Sequence, residues 1–373
     1  MYWPMHWRSY LQTKTRQPAF LWRMVLGIIA AGMAVGFVVQ HFSHPSARRE
    51  VQVAVDSWPR VEQLARQAQW WQLWWAIPKI EWDRSWPWGT SVLAGLTGCC
   101  WLVFVLQALQ VRDLHSKRLG LALAGVLLGV LSIWPTDFFI LWQEYGWGLQ
   151  DGPSLAQGLR YNVLGVGLRE ETAKLMGLLP LLLLLLRWGD ELAALLVSAC
   201  VGIGFALVEN AGYFAYSGGS DVLGRFLTAN PMHMTLTGLV GLAVYQGLRD
   251  PRTWGPQAAA MFGLMVFAHG FYDATLTIAA LADYSILGTI LFALLVYQFF
   301  HELRQLRSVR GETISLTANF LFGVSLVTAA TFVYLSATVG SAVALDMLAE
   351  GVLSLAVMVY LFLREMPESM IRL

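Results

Sequence analysis

Long apolar stretches separated by short polar connections recur along the chain from Phe20 to Leu363. They lack the alternation of apolar and polar residues typical of strands, so they predict helices and disfavour a membrane β-barrel. Each stretch is close to the roughly 20 residues that a helix needs to cross a lipid hydrocarbon core. We therefore predict an all-α, polytopic bundle of about ten transmembrane spans. These lie near 20–40, 91–111, 119–142, 161–186, 191–216, 225–248, 257–282, 284–301, 314–340 and 342–363.

The composition supports this class of protein. Hydrophobic residues make up 57% of the chain and charged residues only 13%, about half the charged share of soluble proteins. The net charge of +1 and the lack of a basic tail give no indication of a nucleic-acid partner. Cys99, Cys100 and Cys200 all lie in apolar runs, a position typical of small buried hydrophobic residues and not of a disulfide or metal cluster.

Lysine and arginine collect on alternate connections, which predicts the orientation of the bundle. Basic residues follow the even-numbered spans, at 112–118, 187, 249–252 and 304–310, whereas the connection 217–224 carries none. Together with the basic N-terminus, this pattern places both termini in the cytoplasm. The first apolar run has no clear small-residue cleavage site, so we expect a retained anchor rather than a removed signal peptide.

The connection between the first two spans is long and rich in tryptophan. Residues 41–90 hold eight of the seventeen tryptophans of the chain. Within VEQLARQAQWWQLWWAI, a helical spacing predicts one amphipathic helix in the outer membrane interface. Such a helix serves either as a brace or as a lid or docking surface for a substrate. The apolar face consists of Val61, Leu64, Ala68, Trp71 and Trp75.

Without an internal repeat, we expect one membrane domain in three parts. Residues 1–118 hold two spans and the tryptophan-rich loop, residues 119–301 form the core, and residues 302–373 add two accessory spans.

Ionisable residues inside membrane spans are costly, and each is a candidate for function. Counted at about 1.5 Å per residue, the candidates of the fourth to seventh spans all fall in the outer half of the membrane. Independent structural polar residues would not be expected to share one layer, so the pattern predicts a single polar site on four helices. The candidates are Glu170, Glu171, Glu209, His233, His269 and Asp273.

Helical spacing adds pairs within this site. Lys174 follows Glu170 by four residues and Glu171 by three, and Asp273 follows His269 by four, so each pair shares a helix face. A neutralised structural ion pair is the alternative explanation for Lys174 and its glutamates. Asp346 and Glu350 have the same spacing but no evident histidine partner, so we expect a packing or interfacial role for them.

Carboxylates and histidines in a membrane cavity indicate activation of water. A glutamate partly removed from water suits a general base that takes a proton from water and returns it to a leaving amine. Histidines supply hydrogen-bond donors toward an oxyanion, or ligands for a metal. The chain has no H-E-x-x-H zinc motif and no G-x-S-x-G nucleophile motif. It also lacks the second transmembrane aspartate of an aspartyl protease.

The motifs together resemble the PrsW family of glutamic-type intramembrane proteases, which are distantly related to the CAAX prenyl-proteases. The resemblance covers roughly residues 119–300. It is carried by E-E-x-x-K at Glu170, F-x-x-x-E-N at Phe205, Arg225 followed by His233, and H-x-x-x-D at His269.

This resemblance implies an intramembrane endopeptidase that cuts membrane-anchored proteins near the outer leaflet of a bacterial cytoplasmic membrane. In the best-known family role, the substrate is an anti-sigma factor, which receives its first cut. Glu170 would activate water and Glu171 would pair with Lys174, although the two glutamates could exchange roles. Glu209 stands where CAAX-type relatives have a histidine.

The remaining family residues would support the reaction. His233, His269 and Asp273 would position water or stabilise the oxyanion, while Asn210 and Arg225 would pair charges. No cofactor is expected, with zinc left open as an alternative because the family has also been described as metal-dependent. Two other classes remain alternatives: a proton-coupled transporter, and a non-catalytic membrane scaffold with the same fold.

Overall fold

A computed structural model describes residues 5–42, 58–83, 86–111, 115–187, 190–307 and 314–366, and within these ranges it contains helices and no strand. A π-helical segment, Tyr161–Gly167, precedes α9, and a 3-10 segment, Ala279–Tyr284, precedes α14. The α-helices are α1 (Met5–Lys14), α2 (Pro18–Phe42), α3 (Trp58–Arg66), α4 (Trp70–Asp83), α5 (Trp88–Ala108), α6 (Lys117–Leu131), α7 (Ile133–Trp147), α8 (Leu155–Arg160), α9 (Leu168–Leu185), α10 (Glu191–Ser217), α11 (Val222–Leu227), α12 (Ala229–Arg249), α13 (Pro251–Thr277), α14 (Ser285–Leu306), α15 (Leu316–Thr338) and α16 (Ser341–Glu365).

Seven helical stretches in the described ranges are long and apolar enough to cross a membrane, and α16 is an eighth if its two halves, bent by 60°, form one span. The predicted all-α, polytopic membrane fold is thus confirmed. The count of ten and the cytoplasmic position of both termini stay predictions. Two predicted spans, α9 and α12, fall outside this set because their first turns carry the ionisable and amide side chains of the candidate site.

Helix α10 lies at the centre of the bundle and contacts α5, α6, α9 and α12. Glycines bring its neighbours to backbone contact, as is common where helices pack in membranes. A Cβ atom at Gly202 would overlap the backbone of His233, and one at Gly204 would overlap the backbone of Val126. The close approach at Gly202 holds the first turns of α12 against α10 and so brings His233 toward Glu209.

The fourth predicted span begins differently from a regular α-helix. Its first two turns, Tyr161–Gly167, are π-helical, a form that is rare and often found at functional sites. This segment packs directly on α13: a Cβ at Gly167 would overlap Val266, and a Cβ at Gly270 would overlap the backbone of Asn162 and Val163. The contact places the first turn of α9 beside His269.

The prediction of one amphipathic helix in the tryptophan-rich loop was wrong. The chain breaks between α3 and α4, where Ala68 has a φ of 52°, so the apolar face of α3 does not continue into α4. The buried residues are Val61, Ala65, Leu73, Ile77 and Ile80, which pack with Leu141 of α7. Trp71 and Trp75 are instead exposed. The placement of this unit in the outer membrane interface stays a prediction.

Several residues predicted to lie in the spans are found outside the site. Cys200 is buried, Cys100 is half-buried and Cys99 is exposed, so the prediction of burial was wrong for Cys99. Asp346 is exposed on the first half of α16. The three-part division of the chain stays a prediction, although α2 packs along α15 and thereby joins the first and last parts.

Candidate active site

A cavity of about 790 Å³ opens between the core helices and α16. Six of the nine residues predicted for the site line it, and the other three lie behind its wall. The lining residues are Glu170, Glu209, Arg225, His233, His269 and Asp273, and those behind the wall are Glu171, Lys174 and Asn210. Met347, Leu348, Leu355 and Met358 of α16 form an apolar wall of the cavity.

Lys174 is the centre of the buried network and is 0% exposed. Its Nζ atom lies 2.8 Å from Glu171 Oε1 and 3.5 Å from Glu170 Oε2. The same ammonium lies 4.1 Å from the ring centre of Phe205, which gives the phenylalanine of F-x-x-x-E-N a cation–π role. A lysine can be this deeply buried because two carboxylates and a ring face surround it.

His233 is engaged at both ring nitrogens. Its Nδ1 lies 2.8 Å from Lys174 Nζ, and its Nε2 lies 3.0 Å from Glu209 Oε2. Because an ammonium group can only donate, Nδ1 accepts and Nε2 carries the proton that is donated to Glu209. The two neighbours therefore fix the tautomer of a neutral His233.

His269 is held on one side and open on the other. Its Nδ1 lies 2.8 Å from Glu171 Oε1. Its Nε2 faces two carboxylates of the cavity, 3.6 Å from Glu170 Oε2 and 3.5 Å from Asp273 Oδ2. Glu171 thus orients the imidazole so that Nε2 points to the place where a reacting molecule would bind.

Arg225 extends the network beyond Glu209. It donates hydrogen bonds to Glu209 and to Asn210, and Asn210 donates to Asn230 Oδ1 at 2.8 Å. The guanidinium carbon of Arg225 lies 3.7 Å from the ring centre of Tyr213. Sequence reasoning missed Asn230 and Tyr213, although helical spacing could have indicated both: Asn230 precedes His233 by three residues and Tyr213 follows Glu209 by four.

The two adjacent glutamates differ in what they bind. Glu171 Oε1 receives hydrogen bonds from both Lys174 and His269 and is 2% exposed. Glu170 Oε2 is buried, and among the described residues it has no hydrogen-bond partner. Glu171 is therefore held by two donors at Oε1, while Glu170 lines the cavity and makes no hydrogen bond at Oε2 with a described residue.

Three of these residues have the donor types that bind a divalent metal. One ligand atom each of Glu170, His233 and His269 can be chosen so that all lie within 4.8 Å of one another, and two imidazoles with one carboxylate are a set that zinc uses. The charges oppose such binding, because the ammonium of Lys174 lies beside both Glu170 and His233. A metal would also have to displace a partner from a ring nitrogen of His233.

The structure brings all nine predicted residues into one connected network, and their roles in chemistry stay predictions. It also places a residue there that sequence reasoning passed over. Arg169 lines the cavity next to Glu170 and is 9% exposed. In the sequence, Arg169 is one of several charged residues close together, and nothing in the hydrophobic pattern distinguishes it from an arginine exposed to solvent.

The chain is a multi-pass membrane protein, and a buried network of acidic and basic side chains beside a cavity is typical of an enzyme. Residues 117–299, which contain the whole network, match the model of the family described as PrsW family intramembrane metalloprotease. This part of the chain is therefore similar to the PrsW family. Since this is a protease family, the match supports intramembrane protease activity on membrane-embedded proteins. Neither a curated protein nor a solved structure matches the chain.

Proposed function

We propose that the chain is an intramembrane endopeptidase in which Glu170 activates water for attack on a peptide bond. One observation carries this proposal: Glu170 lines the cavity and makes no hydrogen bond at Oε2 with a described residue, whereas the adjacent Glu171 lies behind the cavity wall with its Oε1 held by Lys174 and His269. A general base needs a free acceptor within reach of the water that it deprotonates. Glu171 lies outside the cavity lining, and its contacts with Lys174 and His269 instead hold the network together.

The proposed reaction uses this arrangement of Glu170, His269 and Asp273. Water bound between Glu170 and His269 attacks the scissile carbonyl carbon, a C–O bond forms, and one water proton passes to Glu170 while the carbonyl oxygen becomes an oxyanion. The C–N bond then breaks, and Glu170 returns the proton to the leaving nitrogen. The products are a new carboxyl terminus and a new amino terminus. Nε2 of His269 and the carboxyl group of Asp273 position the water or stabilise the oxyanion.

The other charged residues keep this arrangement in place. Lys174 balances the negative charge of Glu170 and Glu171, which would repel each other if left alone in the bundle. Glu209 is fixed by Arg225 and in turn fixes the ring of His233. These side chains pre-organise the site, so that little rearrangement is needed at the moment of reaction.

The substrate we propose is a membrane-anchored protein cut in or near the outer leaflet. A peptide bond within a helix has its carbonyl hydrogen-bonded along the backbone, so a short segment must unwind to reach the cavity. By its family, the chain is a candidate for the first cut in a membrane-anchored anti-sigma factor, in a bacterial cytoplasmic membrane.

The experiment that tests this function replaces the two glutamates separately. Glu170→Gln and Glu171→Gln are each co-expressed with tagged single-span candidate substrates, and cleavage fragments are followed by immunoblotting. We expect Glu170→Gln to fold with wild-type yield and to lose cleavage, because the amide cannot take a proton from water. Glu171→Gln is expected to lower both yield and cleavage, because it weakens the support of Lys174 and His269. Wild-type cleavage by both variants would disprove the proposal.

A metal-dependent hydrolase is the second candidate, favoured by the donor set of Glu170, His233 and His269. A zinc ion held by these residues would supply Lewis-acid activation of water. Elemental analysis of the purified protein separates the two mechanisms. The water-activating glutamate requires full cleavage by protein that contains no transition metal, whereas stoichiometric zinc lost in His269→Gln would favour the metal-dependent enzyme.

A further inference from the structure

We propose that Arg169 is a substrate-binding residue whose guanidinium donates hydrogen bonds to backbone carbonyl oxygens of the unwound substrate segment beside the scissile bond. This inference rests on the proposed peptidase function. It adds a recognition element that lies next to the catalytic glutamate but outside the acid–base network.

The first observation is that Arg169 is a buried cation that forms no ion pair with a described residue. It is 9% exposed, and its Nε atom has no hydrogen-bond partner among the described residues. Lys174 and Arg225, the other cations of the site, each form ion pairs. No described carboxylate lies within 4.0 Å of the Arg169 guanidinium. Because burying an unpaired charge is costly, such a group is expected to gain a partner during function.

The second observation is its place between two cavities. Arg169 lines the main cavity and also an adjoining cavity of about 290 Å³, and Tyr161 and Asp151 line both as well. Its guanidinium carbon lies 5.5 Å from the ring centre of Tyr161, and its Nη1 lies 3.6 Å from the point where a Cβ of Gly165 would be. The guanidinium of Arg169 thus packs against the π-helical segment.

The direction of the side chain separates Arg169 from the reacting atoms. Successive residues of a helix project about 100° apart, so Arg169 and Glu170 reach different parts of the cavity wall. Glu170 faces His269, whereas Arg169 faces the junction with the smaller cavity. A substrate group bound by Arg169 therefore lies beside the scissile bond and not at the oxyanion.

The surrounding charges indicate what Arg169 binds. Glu144 and Asp151 line the smaller cavity, and Glu170 lies on the other side. These carboxylates would repel an acidic side chain or a lipid phosphate. A backbone carbonyl is neutral, and an unwound segment brings several of them without partners, each costly in a membrane. The guanidinium offers five N–H donors in a fixed plane, which suits two neighbouring carbonyl oxygens.

The test measures cleavage kinetics in proteoliposomes with Arg169→Met, Arg169→Lys and Glu170→Gln. The probes are a single-span protein cut by the wild-type chain and a derivative of it in which the acidic residues near the cut are replaced by alanine. Arg160→Met is the matched control, because Arg160 is exposed and outside the cavity lining. Circular dichroism and yield confirm that each variant folds.

We expect Arg169→Met to raise KM about 10- to 100-fold on both probes, the loss expected for hydrogen bonds to a charged group, with kcat and its pH profile much less affected. Arg169→Lys is expected to recover little, since it keeps the charge but loses the planar fork. Arg160→Met should match wild type.

Three results would overturn the inference. Full recovery in Arg169→Lys would show an electrostatic effect on Glu170, a loss restricted to the acidic probe would show a carboxylate site, and an unchanged KM in Arg169→Met would show a structural role. Each of these is compatible with loss of cleavage in Glu170→Gln. Wild-type cleavage by Glu170→Gln, or no cleavage of any single-span probe by wild type, would instead contradict the proposed function.

Discussion

Two kinds of ion pair hold this bundle, and they differ in whether they leave buried side-chain atoms without a hydrogen-bond partner. At the end of the bundle that is predicted to be cytoplasmic, Arg118 of α6 pairs with Asp190 and also donates to Leu109 O at 2.8 Å. Asp190 in turn accepts from Ala193 N at the start of α10. Arg304 similarly joins the carboxylate and the backbone carbonyl of Glu365.

The candidate site contains the same residue types, but some of their buried atoms have no hydrogen-bond partner among the described residues. Glu170 Oε2 and Arg169 Nε are buried atoms without hydrogen-bond partners among the described residues, and both residues border a cavity. The arginines of the helix-end pairs are partly exposed and, in the described part of the chain, these pairs leave no buried side-chain atom without a partner, so they clamp helices. The network at the cavity is buried around Lys174 and leaves buried polar atoms of Glu170, Asn230 and the neighbouring Arg169 without hydrogen-bond partners among the described residues.

The largest effect on stability is expected from removing the buried ammonium in Lys174→Met. The change leaves Glu170 and Glu171 without their counter-charge, and breaking a buried pair in this way costs about 3–5 kcal/mol. Denaturant unfolding in detergent, followed by tryptophan fluorescence, measures the loss. Lys79→Met is the control, since Lys79 is exposed. Equal stability of the two variants would contradict the role of Lys174 as the centre of the network.

A smaller effect is expected where the backbone of α13 touches the π-helical segment. Gly270→Ala places a methyl group against Asn162 and Val163, and such overpacking typically costs about 1–3 kcal/mol. Cleavage should fall as well, because His269 moves away from Glu171. Gly263→Ala in the same helix has open space around its new methyl group and should retain both stability and activity. Similar results for both variants would show that this contact does not set the geometry of the site.

The smallest effect is expected at the helix ends. Arg118→Ala removes a pair whose side chains are 37% and 28% exposed, and pairs of this kind contribute about 0.2–1 kcal/mol. A double-mutant cycle with Asp190→Ala measures the coupling, and cleavage should remain at the wild-type level. A loss of cleavage without a loss of stability would show that the Arg118–Asp190 pair also supports the reaction, and would contradict its assignment as a structural pair.

Much of the site could be predicted from the sequence. The helical repeat determines which residues share a face, and the position of a residue along its span determines how deep it lies in the membrane. Glu170 and Lys174, or His269 and Asp273, must share a helix face once the spans are assigned. The connection of these pairs across helices follows from glycine contacts such as Gly202 on His233, and only the fold reveals which backbone a glycine meets.

Other features gave no signal in the hydrophobic pattern. The π-helical turns at Tyr161–Gly167 extend over too few residues for their longer period to be distinguished from 3.6. The break at Ala68 needs a positive φ, which the sequence indicates only where glycine or asparagine occupies the position. The lack of a hydrogen bond at Glu170 Oε2 depends on distances to Lys174 and His269 that differ by less than 1 Å from those of Glu171.

The most direct test of the central claim is cleavage of a single-span substrate in ¹⁸O-labelled water by purified wild-type protein and Glu170→Gln, with product masses and rates measured together. Wild type is expected to place one ¹⁸O atom in each new carboxyl terminus. Glu170→Gln is expected to form the same product about 10²- to 10⁴-fold more slowly, because a general base usually contributes this factor. Labelled product formed by Glu170→Gln at the wild-type rate would contradict the assignment of Glu170 as the water-activating base.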